Sequence, residues 1–409
     1  MKQKKQILFI GRFFPEKLLK TIKDDSYGRI GFSNHNFEMS IISGLRKQPE
    51  IELHCLSIPS VYSFPHNNKR FYIPSERYTI EDVNVQSVGF CNLLFVNNLS
   101  AIINTIITIL RDLKSFNGNR VDLIINTPKI NLLIAVLISR IISRKNVSLT
   151  LIIPDVPMMM TGMDCNNYLK RLILSYTDRF SMYLASKCDN FVLLTDAMTD
   201  FFRRPLKYIV MEGLIDTDNL VENSNAKRND CKIILYTGTL RAIFGVMNLI
   251  KAFMKINVQN TELWICGSGD LEDEIKDIAH KNSKIKFWGL VDTVTVREMQ
   301  NNATVLVNPR TSEGIYTKYS FPSKTIEYML AGKPVIMNRL PGIPNEYYKY
   351  VFTPINESVD ELTATLNYVL EMKQSDRINF GLKAREFIIK YKNSKYQMAK
   401  VLEMINSNT

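Results

Sequence analysis

Phe321-Pro-Ser-Lys-Thr-Ile-Glu-Tyr-Met-Leu-Ala-Gly-Lys-Pro-Val-Ile336 reads as a loop, a short helix and the start of a buried strand. Pro322 suits a first helical position, where its missing N–H would be unpaired anyway. Ser323 can cap the helix, and Gly332 can end it in a left-handed conformation. Pro334, Val335 and Ile336 then open a strand. A helix start presents unpaired N–H groups and partial positive charge, which suits a phosphate. Lys324 adds a full charge beside it. Glu327 lies about one turn further in, where a carboxylate can accept bonds from a sugar's two hydroxyls. Such a segment could hold a nucleoside diphosphate by both ends. A capped surface helix with Glu327 in solvent would show the same pattern.

Working outward, the chain of 409 residues is too long for one core, so two or three domains are expected. Hydrophobic content of 45% and charged content of 22% are those of an ordinary globular protein. Cys55, Cys91, Cys165, Cys188, Cys231 and Cys266 show no paired spacing, which fits reduced thiols in a cytoplasmic protein. The four histidines form no pair at metal-ligand spacing. The net charge of +12 is uneven: residues 1–215 carry 27 Lys/Arg against 18 Asp/Glu, and residues 216–409 carry 25 against 22. A basic first half favours an anionic surface, or simply solubility. No recognition-helix motif supports nucleic acid as the partner. The longest greasy run, Ile130–Ile142, is broken by Asn131, Ser139 and Arg140 and is too short to span a bilayer. It reads as a buried helix, or as one that grazes a membrane with Arg140, Arg144 and Lys145 toward lipid phosphates. No signal peptide is visible at the start.

Short apolar strands alternate with helices along the whole chain, the pattern of a parallel sheet covered on both faces. In the first half the strands are Gln6–Gly11, Ile51–Ile58, Val121–Asn126, Ser148–Ile153, Asn190–Leu194 and Tyr208–Met211. Asn34–Leu45, Ile130–Ile142 and Tyr168–Ala185 have helical spacing. The polar run Glu212–Asp230 reads as a linker. A second series follows, with strands Lys232–Tyr236, Glu262–Cys266, Ile285–Phe287, Thr304–Val307 and Pro334–Met337, and then helices to the end. The expected fold is α/β, with two Rossmann-like doubly wound domains facing across a cleft and C-terminal helices. The expected division is an N-terminal domain at 1–212, a linker at 213–231, a C-terminal domain at 232–390, and a last helix at 391–409 that returns to the first domain.

Candidate site residues gather after the strands of the second series. Gly238 and Thr239 follow the first strand, and Gly238 would let a ligand or the other domain approach the backbone. Arg241 could reach a diphosphate with its planar fork. Gly267 and Gly269, in Cys266-Gly-Ser-Gly-Asp270, would leave room for a base or phosphate. Arg310 and Glu313 end another strand and would stand at the cleft mouth, or pair with each other at the surface. In the first half, Gly28 lies in a loop after the first strand. Asp155 ends a central strand, where it could act as a base, position an acceptor hydroxyl, or merely cap the next helix. Met158, Met159 and Met160 would make a pliable apolar surface or pack in the core. Glu212 could approach a donor or begin the linker. Asp216-Thr-Asp218 has the form of a metal-binding pair but sits in the linker and reads as a solvated turn.

The order Gly238-Thr-Leu-Arg241, Cys266-Gly-Ser-Gly-Asp270, Phe287-Trp-Gly289, Asn308-Pro-Arg310, Pro322-Ser-Lys324, Glu327-Tyr-Met329 and Ala331-Gly-Lys-Pro-Val335 resembles the donor-binding half of the retaining GT-B glycosyltransferases of glycosyltransferase family 4. The motifs cover about Lys232–Met337; elsewhere the likeness is one of topology. The resemblance implies a nucleotide-diphosphate-sugar donor in the cleft, no further cofactor and no metal. It implies that Glu327 binds the ribose, and that Arg241, Lys324 and backbone groups near Pro322 and Ser323 hold the diphosphate. It implies a glycan or lipid-linked acceptor in surface polysaccharide or glycoconjugate synthesis, and the basic first half would suit a cytoplasmic enzyme peripheral to the inner membrane face. Two positions depart from the family. The place of its upstream glutamate holds Tyr319, so Tyr319 or Ser320 could contact the sugar in place of Glu313. A lysine common before the glycine of the first helix is Phe244 here. A nucleotide-sugar epimerase of the same form, or a non-catalytic partner subunit, would share much of this pattern.

Overall fold

The computed structural model describes residues 4–14, 25, 32–65, 68–155, 168–217 and 231–407. The chain divides into two compact units, one made of Met1–Asp216 with Asn393–Thr409 and the other of Thr217–Lys392.

In the first unit the elements run β1 (Lys5–Gly11), α1 (Phe32–Arg46), β2 (Ile51–Ser57), β3 (Tyr72–Ile73), β4 (Arg77–Ile80), β5 (Val83–Ser87), β6 (Phe90–Cys91), α2 (Asn97–Ser115), β7 (Arg120–Asn126), α3 (Ile130–Ile142), β8 (Asn146–Ile153), α4 (Tyr168–Ala185), β9 (Asn190–Leu193) and β10 (Lys207–Val210). Eight strands form one sheet in the order β10-β9-β8-β7-β1-β2-β5-β4. The first seven are parallel, with Lys5 opposite Ile51 and Ile7 opposite Asp122. The uninterrupted apolar runs of β1, β7 and β8 are buried because helices cover both faces of a parallel sheet. Only β4 runs antiparallel, closing a hairpin onto β5, and β3 pairs antiparallel with β6 in a separate ribbon. The sequence reading contains neither the β3–β6 region nor α2.

The second unit runs β11 (Lys232–Thr237), α5 (Val246–Phe253), β12 (Thr261–Cys266), α6 (Glu272–Lys281), β13 (Ile285–Gly289), α7 (Thr293–Asn302), β14 (Val305–Asn308), α8 (Lys324–Leu330), β15 (Val335–Met337), α9 (Val359–Glu371) and α10 (Gln374–Tyr391). Its five strands are all parallel, in the order β13-β12-β11-β14-β15. Helix starts follow local chemistry: Asp292 accepts from Val294 N at 2.9 Å and Thr295 N at 3.0 Å, and Ser358 accepts from Glu361 N at 3.2 Å. The core of this unit gathers Ile234, Leu249, Ile265 and Val307 with Leu366 and Val369 of α9.

The last helix, α11 (Ser394–Asn406), belongs to the first unit. Ser394 N donates to Ile215 O at 2.8 Å, and Met398, Val401 and Ile405 join the core around β1 and α1. At Gly44 of α1, a Cβ would lie 2.3 Å from the Ser394 carbonyl oxygen, so glycine is what lets α1 and α11 approach.

In each unit one strand is entered from both sides: β1 between β2 and β7, and β11 between β12 and β14. The carboxyl ends of strands at such switch points are where open α/β sheets place ligands. Among the described residues, no helix is long and apolar enough to cross a membrane.

Candidate active site

In the second unit the switch point is built from the end of β11 and the start of α8. Tyr328 of α8 is fully buried and ties the two together. Its hydroxyl accepts from Thr237 N at 2.8 Å and donates to Thr237 O at 3.1 Å. Just after that anchor, Lys324 lies against the chain: a Cβ at Gly238 would fall 1.5 Å from Lys324 Nζ. The close approach expected at Gly238 is therefore made by a lysine of the same unit. The ammonium stands 5.3 Å from the ring centre of Tyr236, whose hydroxyl donates to Thr239 O at 2.9 Å. This is a cation on an aromatic face, braced by the loop it overhangs.

Burial lowers the Lys324 pKa and Arg310 lowers it further, while Glu327 opposes both. Burial likewise raises Glu327, opposed by Lys324 first and by Arg297 next. Glu327 keeps an exposed surface all the same, so it is short of water yet open to a ligand. Among the described residues, neither Lys324 Nζ nor the Glu327 carboxylate makes a hydrogen bond. A partly desolvated cation and anion with unused hydrogen-bonding capacity, one turn apart, are what a bound polar ligand would satisfy.

Arg310 is 8% exposed, and its NH2 donates to Ser320 Oγ at 2.9 Å. The guanidinium lies 4.9 Å from the Tyr316 ring centre and 5.7 Å from that of Phe244, and its Nε is buried without a partner. Burial lowers its pKa. Ser320 Oγ also donates to Tyr316 O at 2.9 Å, and Tyr319 is 9% exposed. Both are thus engaged in the frame of the loop. Arg310 does not pair with Glu313, which is exposed and forms no described bond. Arg241 meets Asp270 Oδ2 at 3.3 Å.

Three expectations change in detail. Gly267 and Gly269 do not leave a space for a ligand on their Cα faces. A Cβ at Gly267 would lie 1.8 Å from Gly238 O, and one at Gly269 would lie 2.5 Å from Leu240 O. Their glycine character serves the seam between two loops, where Gly238 N donates to Cys266 O and Leu240 N to Ser268 O. Ser323 makes no side-chain cap. Finally, α8 begins at Lys324 and has only seven residues, so its dipole is modest and the lysine itself carries most of the local positive charge.

In the first unit, Gly28 and Met158–Met160 lie outside the described residues, as does Asp218. Asp155 follows β8 and is exposed. Glu212 is buried after β10, and Asp216 Oδ1 accepts from Lys47 Nζ at 3.2 Å. The sequence reading missed the central group here. Glu38 of α1 is 1% exposed at the ends of β1 and β7. It accepts from Arg12 N at 2.7 Å and Asn126 Nδ2 at 2.6 Å. Thr127, next in the chain, has φ 75°, a strained value for a β-branched residue. A lone glutamate on an amphipathic helix looks solvated in sequence; only the β1–β7 neighbourhood reveals its burial.

Burial raises the Glu38 pKa to about 7, against the hydrogen bonds from Asn126 and Arg12. The folded chain therefore prefers the neutral carboxyl. The sign follows: this group's contribution is fully present below the ordinary glutamate pKa and is lost as pH rises toward about 7. Glu38→Gln should remove that loss, on the order of 3 kcal/mol. The melting temperature of the first unit should rise by a few degrees at pH 8 and stay unchanged at pH 5, read by calorimetry. A variant destabilised equally at both values would show that the ionised form is the one the fold requires.

Residues 231–372 match the family described as Glycosyl transferases group 1. The match lies in the second unit and contains the Lys324–Glu327 pair. The uncharacterized glycosyltransferase MJ1607 of Methanocaldococcus jannaschii is 32% identical over 120 residues, which span 28% of this chain and 29% of that protein. Several solved structures are similar over nearly the whole chain. Sucrose-phosphate synthase from Thermosynechococcus elongatus has a TM-score of 0.61 at 13% identity, covering 99% of this chain and 100% of that one. Anabaena Alr3699/HepE in complex with UDP-glucose has a TM-score of 0.57 at 14% identity, covering 97% and 99%. These likenesses establish the fold class as GT-B.

Proposed function

We propose that the chain is a glycosyltransferase that takes a sugar from a nucleotide-diphosphate-sugar and passes it to a glycan or lipid-linked acceptor. The observation that carries this reading is the Lys324–Glu327 pair beside Gly238: two partly desolvated groups of opposite sign without hydrogen bonds of their own. The family match over the same residues supports it, as does a fold neighbour holding UDP-glucose. In this reading Lys324 meets the diphosphate and balances the charge that grows as the sugar leaves. Arg241 joins it by exchanging Asp270, an exposed partner worth at most about 1 kcal/mol, for phosphate. Backbone N–H groups near Ser323, just after Pro322, assist, and Glu327 accepts from the two ribose hydroxyls. Arg310, close to the rings of Tyr316 and Phe244, supports the loop of Tyr319 and Ser320 on the sugar side. Asp155 in the first unit orients or deprotonates the acceptor. Retention at the anomeric carbon, independence of a metal ion, and service to surface polysaccharide or glycoconjugate synthesis in the cytoplasm complete the reading, from the likeness noted above.

A panel of sugar nucleotides tested by thermal shift should yield one selective stabiliser. At a hundredfold excess over Kd the gain is about 2.7 kcal/mol. Glu327→Ala should weaken that ligand by about tenfold to a hundredfold, the value of hydrogen bonds to a charged group. If no sugar nucleotide stabilises the protein, or if the variant responds as the native chain does, the reading fails.

A further inference from the structure

The outer face of the first unit is unlike an ordinary protein surface. Helices α2, α3 and α4 pack side by side in that order, α3 between the other two. In α4, Leu169, Ile173, Tyr176, Phe180 and Tyr183 are all exposed, Leu169 by 65% and Tyr176 by 64%. Their spacing puts them on one stripe, while Asp178, Ser181, Met182 and Ala185 of the same helix are buried. The amphipathic pattern is therefore inverted: the greasiest stripe points outward. On α2, Leu99, Ile103 and Ile107 repeat every fourth position and are likewise exposed. Between them α3 ends in Ile141, 82% exposed, and Ile142. Apolar side chains exposed in this number on adjacent helices mark an interaction face.

Charge selects the partner. The three helices carry six Lys or Arg and only two Asp, and Asp178 is buried. Arg171 lies 5.7 Å from the ring centre of Tyr168, and Lys187 lies 4.7 Å from that of Tyr183. Tyrosines flanked by long cations are the side chains that settle where acyl chains meet headgroups, rings inward and charges toward phosphate. A second copy of the chain is a poorer occupant. A two-fold interface would set this cationic face against itself, with almost no exposed carboxylate to answer it.

We infer that the α2–α3–α4 face docks on an anionic lipid bilayer, with the stripe of α4 as the main anchor. The helix would lie in the plane of the interface, buried by about 5–10 Å without crossing it. A lipid-linked acceptor, part of the function proposed above, would explain the need. The inference itself stands on the surface, and its test reads binding without transfer, so the two can fail separately.

The test is flotation of the full chain with vesicles of phosphatidylcholine plus phosphatidylglycerol, and with phosphatidylcholine alone. The native chain should float with the anionic vesicles, and added salt should weaken the association. Leu169→Glu with Ile173→Glu and Tyr176→Glu should lower that affinity by at least about a hundredfold, from the loss of apolar burial and the added repulsion. Ile355→Glu, at an exposed apolar residue of the second unit, should leave it unchanged. Ile173→Trp provides a check that does not depend on the triple variant folding: brominated lipid in the anionic vesicles should quench the new indole. Equal flotation of native and triple variant, absence of quenching, or a lipid-free dimer that the triple variant dissolves would each overturn the inference.

Discussion

Lys324→Met should lower kcat/KM for sugar transfer by about 10²–10³-fold, the loss seen when one positioned charge donor to a developing anion is removed. The same variant should melt no lower than the native protein. The ammonium is held where burial and Arg310 both oppose its charge, so the fold bears a cost for it. A methionine of similar length on the Tyr236 ring would relieve that cost, the usual signature of a residue kept for activity. Glu327 would also feel the change, because Lys324 is the first influence that holds its pKa down. Without it the Glu327 pKa rises further, and the acid limb of the pH–rate profile should move to higher pH. Lys324→Arg should not restore turnover. Nζ already lies where a Cβ of residue 238 would be, and the planar guanidinium is too broad for that gap. Steady-state kinetics with the identified donor decide the matter. Retention by Lys324→Met of more than about a third of native kcat/KM would remove the lysine from the mechanism.

Much of this architecture was readable because parallel strands announce themselves. Runs such as Ile7–Ile10 and Leu151–Ile153 are apolar throughout, and a doubly covered sheet is what buries both faces of such a strand. The antiparallel parts gave no such sign. The β4–β5 hairpin turns through Glu81 and Asp82, with Glu81 at φ 55°, where glycine or asparagine would have marked the turn. Helix α2 was hidden for a related reason. It has a helical apolar spacing, but that spacing does not mark the buried side: Thr105 and Thr108 are buried, while Leu99, Ile103 and Ile107 face outward. The periodicity rule assumes that apolar means inward, and here a surface with its own use breaks the assumption.

The site was legible in part for the same reason. Lys324 and Glu327 stand in a local motif, and a single helical turn fixes their separation. The partners that give them meaning come from further away. Tyr236 sits on another strand, Arg297 is on α7, and Tyr328 reaches back to Thr237. Glu38 is the extreme case. Its environment is assembled from β1 and β7, which are neighbours only because the strand order reverses there.

Gly267→Ala should be the most damaging single methyl in the second unit, costing about 4 kcal/mol or more, or preventing soluble expression. Two effects add. The residue sits at φ 137°, which side chains rarely adopt, and its Cβ would lie 1.8 Å from the Gly238 carbonyl oxygen. That oxygen belongs to backbone and cannot swing aside. Relief would require the ends of β11 and β12 to part, at the expense of bonds from Gly238 N to Cys266 O at 2.8 Å and from Gly267 N to Gly289 O at 2.7 Å. Gly289→Ala is the matched control. It also has positive φ, 65°, but nothing lies within 4 Å of its Cβ, so only the left-handed backbone penalty of about 1–2 kcal/mol applies. The difference between the two isolates the collision from the dihedral. Any Gly267→Ala protein that does fold must displace Gly238, and with it the surface on which Lys324 rests. Its donor affinity should then fall while that of Gly289→Ala holds. Denaturant unfolding and donor titration of the pair decide it: similar losses of stability in both would mean that the seam between these loops is looser than its glycines require.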